Sequence, residues 1–365
     1  MLNRLRAAGR FFDRTIGWNR VGLLLSLTII VIAGVVLYRM LRGIDFNEVF
    51  LALATTDPFD FGMAALFVAA GYFTLTFYDL FALRTIGRLD VPYRVAALAG
   101  FTSYSIGHNV GASVFTGGAV RYRIYSGWGL DAVEVAKLCF IAGLTFWLGN
   151  ATVLGLGIAW IPEAATAIDQ LPGPLNRAIA FLILLILASY VAWVWRTPRV
   201  VGRSTWKVSL PSGPLTLLQI VIGIVDLGFC ALAMYMLLPE DPHISFVMLA
   251  VIFVSATLLG FASHSPGGLG VFDAAMLVAL VQYDREELFA GLLLFRLLYY
   301  IVPFVFALIV LGIRELILSF RGEHREPILP ATSTTAAVSV AAANALAPQA
   351  AHLPADPTGK KVDVG

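Results

Sequence analysis

Ser263-His264-Ser265-Pro266-Gly267-Gly268 cuts an apolar run that otherwise extends from residue 244 to residue 281. A second segment, 95–118, is interrupted in a similar way by Ser103, Ser105, His108, Asn109 and Ser113, and closes on Gly117-Gly118. Helix interiors disfavour Gly and Pro, and open backbone at membrane depth survives only where protein or water satisfies it. Each segment therefore reads either as a kinked span or as a re-entrant hairpin that returns to its own side. The choice between them sets the orientation of every loop that follows.

Outside these two segments, apolar windows mark spans at about 21–41, 61–83, 138–160, 178–195, 215–238 and 288–313. The first window is ~21 residues, or ~31 Å of helix, enough to cross a bilayer and longer than a signal-peptide core. It follows a basic segment, residues 1–20, with no small-residue cleavage site behind it, so it is expected to be a retained span. If both interrupted segments are hairpins, twenty Lys and Arg fall on the cytoplasmic side and four, Arg39, Arg42, Arg177 and Arg285, outside. Arg296 lies within a span. That split follows the positive-inside rule, and making the first segment a crossing would destroy it. The expected fold is all-α and polytopic, with six full spans, two re-entrant helical hairpins and both termini cytoplasmic. Composition agrees: 59% of the residues are hydrophobic and 13% charged, against roughly 25% charged in a soluble domain. A net charge of +2 gives no basic face for nucleic acid. Cys139 and Cys230 both sit in apolar runs, which suits core packing and neither a disulfide framework nor a metal cluster. No cofactor is expected.

The arrangement implies an inverted repeat, with halves at about 21–160 and 178–313. Corresponding spans lie some 150 positions apart, Gly117-Gly118 aligns with Gly267-Gly268, and Asp79-Leu80 aligns with Asp226-Leu227. Inverted repeats with broken helices build transporter sites near the midplane. Residues 314–325 carry mixed charge, and the stretch to residue 365 is rich in Ala, Pro, Thr and Val. Residues 314–365 are thus expected to form a disordered cytoplasmic tail.

Ionisable groups inside spans are expensive, which makes Asp79, Asp226 and Arg296 the first site candidates. Asp79 could instead pair with Arg84 or cap local backbone, and Asp226 with Arg296 could form a structural ion pair. Gly117 and Gly118 permit close backbone approach, and free N–H groups at helix ends attract anions. Arg121 and Arg123 are bidentate phosphate donors, or alternatively anchors to anionic lipid at the cytoplasmic boundary. His108 and Asn109 lie in the same hairpin; a buried hydrogen-bonded histidine and a proton relay are both open for His108. Gly267 and Gly268 mirror this on the outer side, followed by Asp273 at a helix start where a carboxylate is favoured. Carboxylates together with guanidinium groups suit a phospholipid head carrying both an ammonium and a phosphate. A P-loop, a GxSxG elbow and an HExxH helix are all missing.

The runs Gly107-His108-Asn109-Val110-Gly111-Ala112, Thr116-Gly117-Gly118-Ala119-Val120-Arg121-Tyr122-Arg123-Ile124-Tyr125-Ser126, Phe146-Trp147-Leu148-Gly149 and His264-Ser265-Pro266-Gly267-Gly268-Leu269-Gly270-Val271-Phe272 carry a resemblance. They resemble the membrane domain of the lysylphosphatidylglycerol synthase/flippase proteins, the multiple peptide resistance factor family, over residues 20–313. The resemblance implies a bacterial inner-membrane protein that moves aminoacylated phosphatidylglycerol between leaflets. Asp273 stands where the family usually has Glu. Bifunctional members add a soluble aminoacyl-transferring domain, for which the short stretch after residue 313 offers no seat. The expected activity is therefore flipping of a membrane phospholipid without enzymatic chemistry. Two alternatives are an intramembrane head-group enzyme and a non-transporting partner of a separately encoded lipid synthase. A homo-oligomer is compatible with either.

Overall fold

The computed structural model describes residues 17–42, 45–197, 199–203 and 206–321. Most of the expected N-terminal segment, 1–16, and of the expected tail, 322–365, lies outside the described residues. Helices dominate. α1 (Gly17–Arg42) and α2 (Phe46–Thr55) lead into α3 (Pro58–Thr85), then α4 (Tyr93–Val110), α5 (Ser113–Tyr125) and α6 (Ala132–Trp160). A short α7 (Glu163–Asp169) precedes α8 (Gly173–Val194). A small antiparallel hairpin of β1 (Val200–Arg203) and β2 (Trp206–Ser209), unforeseen in the sequence, leads to α9 (Gly213–Met236). α10 (Phe246–Ala262), α11 (Val271–Ala279) and α12 (Arg285–Phe295) follow, and a π-helical turn at Arg296–Ile301 joins α12 to α13 (Val302–Arg321).

Caps set where the long helices begin. Asp57 accepts from Phe59 N at 2.7 Å ahead of Pro58, whose missing N–H costs nothing at a first helical position. Asp131 and Glu134 form a reciprocal capping box at the start of α6 (2.7 and 3.0 Å). Asp284 accepts from Glu286 N and Glu287 N at the start of α12. Among the described residues, five helices are long and apolar enough to cross a membrane, or six if Leu27–Arg42 and Asn47–Thr55, bent 71° apart, form one span.

Both interrupted segments are helical hairpins. α4 and α5 pack together around Gly111, which turns the chain with φ +83°. α10 and α11 are joined through the short turn Pro266–Gly268, where Gly267 has φ +60°. A side chain at either position would sit in the left-handed region that only Gly enters freely. In element order the first part runs α1, short α2, α3, the α4–α5 pair and α6, and the second runs α8, the β hairpin, α9, the α10–α11 pair and α12–α13. The expected match of Gly117-Gly118 with Gly267-Gly268 is corrected, because the first pair lies inside α5 and only the second forms a turn. Gly111 is the counterpart of the second turn. A Cβ on Gly117 would come 3.1 Å from the Ser103 carbonyl, so that glycine serves the close packing of the two hairpin arms. It exposes no helix end to an anion.

The expected tail boundary at residue 314 is also corrected. α13 continues to Arg321, and Glu315 is buried between Arg314 (2.8 Å) and Arg123. Pairing on both sides lets mixed charge remain helical where composition alone suggested a break.

Candidate functional site

α3 and α9, the corresponding helices of the two halves, pack against each other, and α3 carries Tyr78 beside Asp79. Neighbouring residues on a helix point about 100° apart, so the two side chains serve different partners. Asp79 is fully buried and accepts from Arg121 at Nε (3.0 Å to each carboxylate oxygen) and Nη2 (2.7 Å). The Tyr125 hydroxyl donates to the same carboxylate at 2.8 Å. Arg121, 6% exposed, also stacks on the Tyr104 ring at 4.7 Å. Asp79 therefore pairs with the hairpin arginine and not with Arg84, which donates to the Leu89 carbonyl. Arg121 itself is an interior ion-pair partner, where the sequence placed it at the boundary.

Tyr78 turns toward the other half and donates to Asp226 Oδ2 at 3.0 Å. Asp226 is 4% exposed, and its Oδ1 accepts no hydrogen bond among the described residues. The structural Asp226–Arg296 ion pair that the sequence left open as an alternative does not form. Arg296 instead donates through Nε to Asp273 Oδ1 (2.8 Å) and through Nη2 to Asp273 Oδ2. Asp273 lies in the first turn of α11 and also accepts from Gly270 N at 3.1 Å, which meets the expected capping role.

Of these groups, Tyr104, Arg121 and Asp226 line a cavity of about 470 Å³ between the two helical hairpins. His108, Arg121 and Asp226 reach its wall, together with Gly267 and Gly268. Most of the remaining lining is hydrocarbon and aromatic. The His108 ring lies between Tyr104 and Phe261, with centroids 5.5 and 5.4 Å away. Asp79, Arg296, Asp273 and Arg123 stand outside the lining. Asn109 does too; its Nδ2 donates to the Ser105 and Tyr300 carbonyls at 2.8 and 3.2 Å and ties the first hairpin to the π turn. Gly118 has ordinary space around it, with Cys139 Sγ its nearest neighbour.

Sequence reasoning missed the tyrosines. Tyr78, Tyr104 and Tyr125 connect the carboxylates, and Tyr299 and Tyr300 bring the π turn to the cavity. The wider π turn offers its carbonyls sideways, and the Tyr72 hydroxyl donates to that of Tyr299 at 2.9 Å. π turns gather at functional sites. The one signal available was Tyr78-Asp79 itself, a polar pair in an apolar span.

Comparison with known proteins places this geometry. An uncharacterised protein, slr0712, from Synechocystis is 32% identical over 70% of this chain and 79% of its own length. The inner membrane protein YbhN of Escherichia coli K12 is 27% identical over 80% of this chain and 92% of its own. A phosphatidylglycerol lysyltransferase of Staphylococcus aureus strain COL is 22% identical over 80% of this chain, which corresponds to 34% of that protein. No family model matches.

Proposed function

The chain belongs to the family of membrane domains found in lysylphosphatidylglycerol synthase/flippase proteins, and from that premise we propose that it is a multi-pass inner-membrane protein that moves a phospholipid between leaflets. The substrate in this reading is aminoacylated phosphatidylglycerol or a related lipid whose head carries an ammonium. The observation that carries the reading is the cavity between the hairpins, whose largely apolar lining includes Asp226, a carboxylate whose Oδ1 accepts no hydrogen bond among the described residues. A buried carboxylate satisfied by a single neutral hydroxyl gains most from a cation. An ammonium donating to Oδ1 supplies it, while Arg121 in the same wall favours the phosphate. Asp79 and Arg296 then act as internal counter-ions and not as direct substrate contacts. The two hairpins enter from opposite faces in this scheme, so that the cavity opens to each leaflet in turn.

The test is outer-leaflet exposure of labelled lipid in proteoliposomes holding the full chain. Asp226→Asn keeps the shape and the Tyr78 hydrogen bond but removes the charge, and flipping should fall by more than about tenfold. Unchanged flipping overturns the reading. The same lipid incubated with protein in detergent should be recovered intact, and its conversion would point to an enzyme instead.

A further inference from the structure

A second hollow, of about 770 Å³, lies between α6, α8 and α9 and shares no lining residue with the cavity. Leu156 from α6, Leu184 and Val191 from α8 and Leu217 from α9 give it hydrocarbon walls. At the end of α8 and just beyond it the lining changes to Trp193, Trp195, Arg196 and Arg199. We propose that this groove is a lipid-binding site that selects an anionic phospholipid, with an acyl chain along α8 and the head group on Arg196 and Arg199.

Three observations support that occupant. First, α8 has the composition of a span, yet only 11% of its apolar window is buried by protein, so its surface faces hydrocarbon. Second, the polar end is held in place. The Arg199 guanidinium lies 5.7 Å from the Trp193 ring centroid, and its Nε donates to the Trp193 carbonyl at 3.1 Å. Trp195 packs so closely on the start of α9 that a Cβ on Gly213 would fall 2.6 Å from its ring. Third, the lining carries two guanidinium groups and no carboxylate. Tryptophans next to basic residues at a span end mark the head-group level. Each arginine there adds roughly a fivefold preference for an anionic head. The volume falls within the roughly 300–1,000 Å³ typical of ligand sites.

The experiment uses the purified full chain in detergent, titrated with phosphatidylglycerol or phosphatidylcholine bearing identical brominated acyl chains. Bromine beside Trp193 and Trp195 quenches their fluorescence. Phosphatidylglycerol should quench at about 25-fold lower concentration than phosphatidylcholine. The double variant Arg196→Gln/Arg199→Gln should bring the two lipids within about twofold, while Ala188→Phe, which fills the groove from α8, should weaken quenching by both. Asp226→Asn should keep the preference, which separates this groove from the cavity. Equal quenching by the two lipids in the unaltered chain overturns the proposal, as does a preference that survives in the arginine variant or disappears in the Asp226 variant.

Discussion

Asp79 and Asp226 hold corresponding places in the two halves, and their surroundings are opposite. In the first half the acid sits on the long helix and its arginine on the hairpin, so Asp79 and Arg121 neutralise each other. In the second half the arginine has moved to the last span and the acid to the hairpin, as Arg296 and Asp273. Among the described residues, that exchange leaves Asp226 with no ion-pair partner and a single hydrogen bond, from a tyrosine hydroxyl of the first half. The first half is thus closed electrostatically, and the second keeps one uncompensated carboxylate at the cavity. In the proposed function the first half frames the cavity and the second receives the charge of the lipid head.

The largest effect expected from this contrast is on the frame. Arg121→Ala leaves Asp79 buried without a counter-ion, a loss of about 3–5 kcal/mol, which should appear as a collapse of the monodisperse peak and of thermal stability in detergent. Combining it with Asp79→Asn should recover part of the loss, since the unpaired charge is then gone; no recovery would mean that Arg121 matters for packing on Tyr104 alone. Next comes Arg296→Ala. Asp273 is partly exposed and retains the Gly270 N–H, so the cost should be smaller, about 1–3 kcal/mol. Equal losses for the two arginines would erase the proposed difference between the halves.

Much of this arrangement was legible in the chain and some was not. Span positions followed from apolar windows, and the Pro and Gly residues of 263–268 foretold a turn because few backbones other than glycine's can make it. Asp79, Asp226 and Arg296 stood out because charge in hydrocarbon is costly. Their partners were hidden, since pairing depends on which helix faces which: Arg121 is 42 residues from Asp79, and Tyr78 is 148 from Asp226. Gly117-Gly118 misled for a related reason. Two glycines look alike in sequence whether they turn the chain or admit a neighbouring helix, and here Gly117 admits α4 while Gly118 faces Cys139 of α6. Past residue 314, α13 is met by Arg123, which donates to Glu315 from 192 residues earlier in the chain.

A smaller effect should separate framing from receiving within a single side-chain atom. Tyr78→Phe removes the hydroxyl on Asp226 and leaves the Asp79–Arg121 pair untouched. Stability should fall by about 1 kcal/mol, within reach of a thermal shift, while flipping falls much further. A proportionate drop in both would make Tyr78 a packing residue only.

The smallest effect belongs to the loop that fastens the first hairpin. Arg88 donates to Asp90 (3.0 Å), to Glu134 (3.2 Å) and to the Trp128 carbonyl (2.6 Å), joining the loop after α3 to the start of α6. The hydrogen bond from Arg88 holds the Asp90 carboxyl below the usual carboxylate range. Its folded value is depressed, so the stabilisation is fully present above the unfolded value of about 3.9 and disappears as pH falls through the folded one. Solvent around the half-exposed Asp90 screens the pair to at most a few tenths of a kcal/mol. Thermal unfolding of Asp90→Asn should therefore lie slightly below that of the unaltered protein at pH 7, and the gap should narrow as the pH is lowered below about 3.9. A gap that widens toward low pH would mean that Asp90 is strained by its surroundings, and the closed character of the first half would then rest on Asp79 and Arg121 alone.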